Sequence, residues 1–389
     1  MLAFTFPGQG SQQPGMGQPW ADHPSWSIVA AASAASGRDV AALLLDADAD
    51  ELRRTENAQL ATYVLSLVVH DAVRALGVRC RVAAGHSLGE YSALTAMGAL
   101  SLADGVRLVT ERGAAMQAAA DARPGTMAAV LGADDDVVAR ACEQTPGDVW
   151  VANTNGAGQV VIAGDPAAIT AAGALAKELG ARKVMALPVG GAFHTPFMAP
   201  AADRLRAALA EVAFANSSVP VITNVDALPH QHADQWADLL ATQLTAQVRW
   251  RQTIARMVAD GVTTFLELGP GSVLTAVAKR SAPDGAARST TTPVDLDEIL
   301  EVATAAGAVD HHEGEHLFAA ERLVVSPTAG VFTPAIDVAE GHHIEQGRVL
   351  GHVAGNEVRS PFRGTVKGLL AVTGERLTRS QPVAWLRTA

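Results

Sequence analysis

Arg81-Val82-Ala83-Ala84-Gly85-His86-Ser87-Leu88-Gly89-Glu90-Tyr91-Ser92-Ala93 is the stretch from which the fold is read. Arg81–Gly85 is short, apolar and small, the composition of a buried strand, and a helix is expected from the residues after Gly89 through Ala99. Between them lies a G-x-S-x-G pentapeptide. At a strand-to-helix junction its glycines permit a sharp turn that projects Ser87 above the sheet, where the helix N-terminus favours developing negative charge. Ser87 is therefore expected as a nucleophile, and the competing reading is an ordinary helix-capping serine.

Working outward, Leu2–Phe6 reads as a strand ending in Pro7-Gly8-Gln9-Gly10, Ala58–Leu76 as a long apolar helix, and Asp104–Ala120 as another. Strands alternating with helices imply a mostly parallel α/β sheet. The next segment has another rhythm: strand Thr126–Leu131, helix Asp134–Gln144, strands Val149–Thr154 and Gln159–Gly164 across Asn155-Gly156-Ala157-Gly158, helix Pro166–Leu179, strand Arg182–Pro188. That β-α-β-β-α-β order is a split βαβ motif, read as a subdomain of residues 125–188 inserted into the larger domain. The α/β pattern resumes with helix Pro200–Glu211, strand Val219–Asn224, helix Ala233–Leu244 and strand Thr263–Leu268 before Gly269-Pro270-Gly271. Residues 1–280 are expected as one domain. Residues 281–316 read as a linker with a short helix over Val294–Ala306 and a hydrophilic run over 310–315.

Composition bounds the function. The chain has 389 residues, 49% hydrophobic and 18% charged, enough for more than one core. A net charge of −11 with only 4% aromatic residues argues against a nucleic-acid surface. Two cysteines, Cys80 and Cys142, give neither a disulfide framework nor a metal spacing, which favours a reducing compartment. No secretory leader or membrane-length apolar run is read, so a cytoplasmic protein without membrane contact is expected.

A serine hydroxyl needs a base. Of twelve histidines, His86 adjoins the serine and should point away from it. His194, in Gly190-Gly191-Ala192-Phe193-His194-Thr195-Pro196, lies on a loop after a strand, from which an imidazole can reach across a cleft. His230, His232, His311 and His312 read as surface or capping residues.

Phe6-Pro7-Gly8-Gln9-Gly10-Ser11-Gln12, Gly85-His86-Ser87-Leu88-Gly89-Glu90-Tyr91, Arg107-Leu108-Val109-Thr110-Glu111-Arg112-Gly113, Gly158-Gln159-Val160-Val161-Ile162-Ala163-Gly164 and Glu267-Leu268-Gly269-Pro270-Gly271, in this order, resemble the malonyl-CoA:acyl carrier protein transacylases. The resemblance implies an α/β-hydrolase-like core with an inserted ferredoxin-like subdomain. It implies Ser87 as nucleophile, His194 as general base, the main-chain carbonyl of Gln243 as orienter of that base, and the N–H groups of Gln9 and Leu88 as oxyanion hole. Arg112 would hold the free carboxylate of malonate, the competing reading being a surface arginine paired with Glu111 or Asp104. Phe193 would narrow the pocket in favour of malonyl over methylmalonyl, and Asn155 matches a position near the acyl pocket. The implied reaction moves malonyl from coenzyme A to the phosphopantetheine thiol of an acyl carrier protein, for fatty-acid or polyketide synthesis, with no bound metal and no covalent cofactor.

The last 70 residues contain a repeat: Val325-Ser326-Pro327 with Gly330 recurs as Arg359-Ser360-Pro361 with Gly364. Residues 317–389 resemble biotinyl/lipoyl domains, small all-β barrel-sandwiches of two interlocked halves that carry a cofactor on a hairpin lysine. Here Gly351–Val358 has no lysine, and Lys367 falls elsewhere, so an unmodified relative used for docking a partner is expected. Two other readings stand beside the transferase: a thioester hydrolase with the same Ser/His chemistry, and a non-catalytic scaffold.

Overall fold

The computed structural model describes residues 1–309 and 321–387. The hydrophilic run 310–315, His311, His312 and the expected domain start at 317 lie outside the described residues. The chain divides into two compact units, Met1–Asp310 and His311–Ala389.

The larger unit is mixed α/β. Its strands are β1 (Leu2–Phe6), β2 (Val82–Gly85), β3 (Thr126–Leu131), β4 (Val149–Gly156), β5 (Gln159–Gly164), β6 (Lys183–Ala186), β7 (Val221–Ile222), β8 (Pro229–His230), β9 (Thr264–Leu268) and β10 (Ala286–Thr290). The main sheet runs β10-β9-β1-β2-β7-β8, parallel except for the β7–β8 edge pair. β1 is buried on both faces, the signature of a central parallel strand covered by helices. The helix Thr55–Ala75 is buried along most of its length and packs against the helix Leu102–Ala122.

A second, antiparallel sheet has the order β4-β5-β3-β6. The helices Asp135–Gln144 and Pro166–Glu178 close over it, with Val130, Val138, Ala141, Ile162 and Ala172 forming a core of its own. β4 extends to Gly156, two residues beyond the expected strand, so Asn155 lies in the strand and the turn is Ala157-Gly158. This sheet is tied to the loop after Gln243: Thr154 N–H donates to Val248 O at 3.0 Å, and Val248 N–H to Ala152 O at 2.8 Å.

The segment after 280 departs from the expected linker. Ala286–Thr290 is a strand parallel to β9, and the helix Leu296–Ala305 buries Ile299 and Ala303 in the main core. The polar sequence Ala286-Ala287-Arg288-Ser289-Thr290 concealed an edge strand, whose half-covered surface needs only Ala287 and Thr290 inside.

The smaller unit holds β11 (Glu321–Val325), β12 (Gly330–Pro334), β13 (His343–Ile344), β14 (Val349–Val353), β15 (Asn356–Arg359), β16 (Gly364–Leu369), β17 (Arg376–Leu377) and β18 (Pro382–Arg387). They make two four-stranded sheets, β11-β18-β16-β13 and β15-β14-β12-β17. The repeat maps β11–β14 onto β15–β18, so each sheet takes two strands from each half. Equivalent positions share their geometry: Ser326 Oγ donates to Thr328 O at 2.6 Å, Ser360 Oγ to Phe362 O at 2.7 Å. The β14–β15 hairpin turns at Ala354-Gly355, both at positive φ.

Candidate active site

β2 enters the site as small residues and leaves it as a strained turn. Ser87 has φ of 52°, a left-handed backbone that costs a non-glycine residue of order 1–3 kcal/mol and is found where function requires it. The two glycines of the pentapeptide are sterically enforced. A Cβ on Gly85 would lie 1.8 Å from Gly89 C, and one on Gly89 would lie 2.1 Å from Phe6 O. The turn therefore nests against the end of β1, and the helix Gly89–Ala96 begins directly beneath Ser87.

His194 also has positive φ, 60°, and its ring reaches Ser87: Nε2 lies 2.7 Å from Ser87 Oγ. Its other nitrogen, Nδ1, faces two carbonyl oxygens, Gln243 O at 2.9 Å and Ala246 O at 3.2 Å. Carbonyls only accept, so Nδ1 carries the proton and Nε2 presents its lone pair to the serine hydroxyl. Burial, reinforced by the charge of Arg112, lowers the imidazole to about 3 against an ordinary 6.5. The ring is thus a neutral acceptor throughout the physiological range.

Arg112 is fully buried, on the helix Leu102–Ala122. Its Nη2 donates to Ser87 Oγ at 3.1 Å and to Gln243 Oε1 at 3.0 Å, while Nη1 donates to Gln59 Oε1 at 2.7 Å. The competing surface-pair reading does not apply, because Glu111 pairs with Arg204 and Asp104 with Arg107. Among the described residues no carboxylate forms an ion pair with Arg112. Its Nε has no hydrogen-bond partner, and its guanidinium lies 5.3 Å from the Tyr91 ring centroid. Its hydrogen bonds thus go to neutral oxygens, and the one carboxyl among the described residues that acts on it, that of the buried Glu90, is itself pushed up by burial to about 7, which leaves the guanidinium able to pair with an anion.

The remaining expected residues fall around this group in different ways. Gln9 follows β1 on the loop against which the elbow packs, and Leu88 is the N-cap of the helix Gly89–Ala96. Among the described residues neither backbone N–H donates to a protein acceptor. Phe193 is buried in the main core beside His194. Asn155 meets His86, not Ser87: its Oδ1 lies 2.8 Å from His86 Nε2. The His86 ring is turned away from the serine and packs edge-on against Trp250, with centroids 5.5 Å apart.

Three residues were not anticipated: Gln59, Glu90 and Asn224. Gln59 shares the guanidinium of Arg112. Glu90 is buried, and burial raises its carboxyl to about 7. Asn224 Oδ1 accepts the Ser87 N–H at 2.6 Å. They lie far from Ser87 in sequence or look like helix-face polars, and only the periodicity that buries Gln59 and Glu90 hinted at their place.

The arrangement suits acyl transfer: an activated hydroxyl, an oriented neutral base and a buried cation whose hydrogen bonds go to neutral oxygens. Comparison with known proteins agrees. The family model "Acyl transferase domain" matches residues 3–321. The malonyl CoA-acyl carrier protein transacylase of Escherichia coli (strain K12) is 41% identical over 308 residues, covering 77% of this chain and 99% of that one. The crystal structure of an acyl carrier protein S-malonyltransferase from Vibrio cholerae O1 biovar eltor superimposes with a TM-score of 0.74 at 38% identity, over 77% of this chain and 99% of that one. A chain of the PlMCAT:AntF (holo) complex, a type II PKS acyl-carrier protein with its malonyl-transacylase, gives 0.75 at 36% identity, over 77% and 99%. The chain belongs to the malonyl CoA-acyl carrier protein transacylase family.

Proposed function

We propose that this protein transfers a malonyl group from coenzyme A to the phosphopantetheine thiol of an acyl carrier protein through an ester on Ser87. The observation that carries the reading is the convergence on one oxygen: Ser87 Oγ lies 2.7 Å from His194 Nε2 and 3.1 Å from Arg112 Nη2. In the first half-reaction His194 Nε2 takes the hydroxyl proton as Oγ attacks the thioester carbonyl. The C–S bond breaks, and the departing sulfur takes the proton back from the imidazolium, releasing coenzyme A. In the second, the pantetheine thiol gives its proton to His194, its sulfur attacks the ester, and Ser87 leaves with that proton. The carbonyl of Gln243 stabilises the imidazolium formed in each half without needing an acid.

The N–H groups of Gln9 and Leu88 are assigned to the oxyanion, where one lost donor slows acyl transfer roughly 100- to 1,000-fold. Arg112 is assigned to the malonate carboxylate as a two-pronged donor. Phe193 is assigned to the wall that favours malonyl over methylmalonyl. Asn155 is assigned an indirect part, through His86. The enzyme is read as using a coenzyme A thioester as substrate, with no covalent cofactor, in the cytoplasm; no helix among the described residues is long and apolar enough to cross a membrane.

The sheet orders support an α/β-hydrolase-like core with a ferredoxin-like subdomain near residues 125–188. Residues 317–389 fit a barrel-sandwich of the biotinyl/lipoyl type, whose hairpin tip carries Ala354-Gly355 in place of a lysine and which is assigned to docking a partner. The catalytic reading is tested by incubation with radiolabelled malonyl-CoA: label is expected on Ser87 and absent from Ser87→Ala. Undiminished labelling of Ser87→Ala would overturn it.

A further inference from the structure

We propose that Asn224, held by Glu90, is the positioning residue that fixes the strained backbone of Ser87 and so aims its hydroxyl at His194. The inference rests on the acyl-serine reading above. Asn224 follows β7 and is fully buried. Each of its polar atoms is engaged. Oδ1 accepts the Ser87 N–H at 2.6 Å, and Nδ2 donates to Gly85 O at 2.7 Å. Its own N–H donates to Glu90 Oε2 at 2.7 Å, and its carbonyl accepts the Arg249 N–H at 3.0 Å.

One amide side chain therefore grips the elbow on both sides of His86. On the far side of the serine, Gln243 Nε2 donates to Ser87 O at 3.1 Å. Ser87 is a left-handed residue whose N–H and C=O are both held by side chains from distant elements, separated from it by 137 and 156 residues. An amide is the side chain this task needs. It supplies an acceptor for the N–H at Ser87 and a donor for the carbonyl at Gly85 from one planar group, without placing a charge beside Arg112 and His194. Glu90, on the elbow helix itself, fixes the Asn224 backbone, so the clamp and the turn it holds are one connected unit.

With the clamp removed, the Ser87 N–H and Gly85 carbonyl lose their partners and the left-handed turn loses the contact that over-determines it. The hydroxyl then leaves the line to His194 Nε2, and a displacement near 1 Å costs about 100-fold in rate. A role confined to joining β2 and β7 would instead lower the folded fraction and leave each folded molecule with its normal rate.

The test is single-turnover acylation by malonyl-CoA, normalised to the folded fraction by circular dichroism. Asn224→Ala is expected to lower the acylation rate constant about 100-fold, with KM for malonyl-CoA and the malonyl-to-acetyl ratio within threefold of the parent. Asn224→Asp keeps the acceptor for Ser87 and loses the donor for Gly85; it is the variant to use should Asn224→Ala not fold. Its rate is expected between those of the parent and the alanine variant. A rate constant within threefold of the parent for either folded variant overturns the clamp, as does a loss appearing in KM alone. Ser87→Ala runs alongside: if it still takes up malonyl label, the acyl-serine reading has failed, whereas an inert Ser87→Ala beside a normal Asn224→Ala sinks only the clamp.

Discussion

Removing the guanidinium of Arg112 should separate two substrates, because its hydrogen bonds go to the neutral oxygens of Gln59, Gln243 and Ser87 and the one carboxyl among the described residues that acts on it, that of Glu90, is itself pushed up by burial to about 7. Arg112→Ala is expected to slow acylation by malonyl-CoA about 100-fold more than acylation by acetyl-CoA. That is the worth of a charge-assisted pair of roughly 3 kcal/mol. Equal losses for both substrates would remove the carboxylate role. His194 makes a second prediction. Because burial and Arg112 lower its imidazole to about 3, kcat/KM for acylation should show no loss from protonation of the base between pH 7 and pH 5, where an ordinary histidine would lose most of its free lone pair. The sign for stability is the reverse of a salt-bridged histidine: the unfolded chain takes the proton first, so the contribution of His194 is complete above pH 6.5 and is lost as pH falls toward 3. A rate-limiting ionisation near 6.5 assigned to His194 by its loss in His194→Gln would contradict the buried neutral base. Arg112→Ala should also move that imidazole upward, since it removes the second-largest cause of the depression.

Helix Val273–Ser281 is an element outside the site that is tied to the loop after β1. Glu267, at the end of β9 and fully buried, accepts the N–H groups of Leu274 and Thr275 at 3.1 and 2.6 Å, caps that would otherwise go unmet. Between them Gly269-Pro270-Gly271 packs on Pro7 and Ser11, either side of the Gln9 loop. Glu267→Ala should therefore cost about 2 kcal/mol or more, from two buried donors left unpaired, with the midpoint of urea unfolding as readout; an unchanged midpoint would show that water replaces the carboxylate. The strand running into Gly269-Pro270-Gly271 was readable in the sequence because it is local, and so were the strand-to-helix elbow, β1, β3 and the two helices over the second sheet; the helix after it and the cap from Glu267 were not. Local signals failed where the decisive contact is remote. β10 is polar because an edge strand needs few inward residues, and nothing near Asn224 announces that its amide ends at Ser87. Arg112 was ambiguous for the same reason: its neighbours on the helix, Glu111 and Asp104, offered partners that the fold gives to Arg204 and Arg107.

For the chain as a whole, the smaller unit raises two questions with separate tests. The first is whether it carries a group. Its hairpin tip is Ala354-Gly355, and Lys367 lies within β16, so the intact mass should equal that of the sequence and avidin should not retain the protein; an added biotinyl or lipoyl mass on Lys367 would overturn the unmodified reading. The second is whether its halves can be separated. Because β18 lies between β11 of the other half and β16 of its own, and β12 between β14 and β17, neither half can complete a sheet alone. Its described residues share one core, in which Phe332 is fully buried among Leu350, Val353, Leu377 and Leu386. A core of this size rarely supplies more than about 3–5 kcal/mol, and truncating a buried phenylalanine costs about as much. Phe332→Ala should therefore unfold the unit in one step, so that amides of both sheets, from Leu323 to Leu386, lose hydrogen-exchange protection together. Loss of protection confined to β11–β14, with β15–β18 still protected, would mean that the two halves fold independently and that the repeat is a tandem, not an interlocked pair.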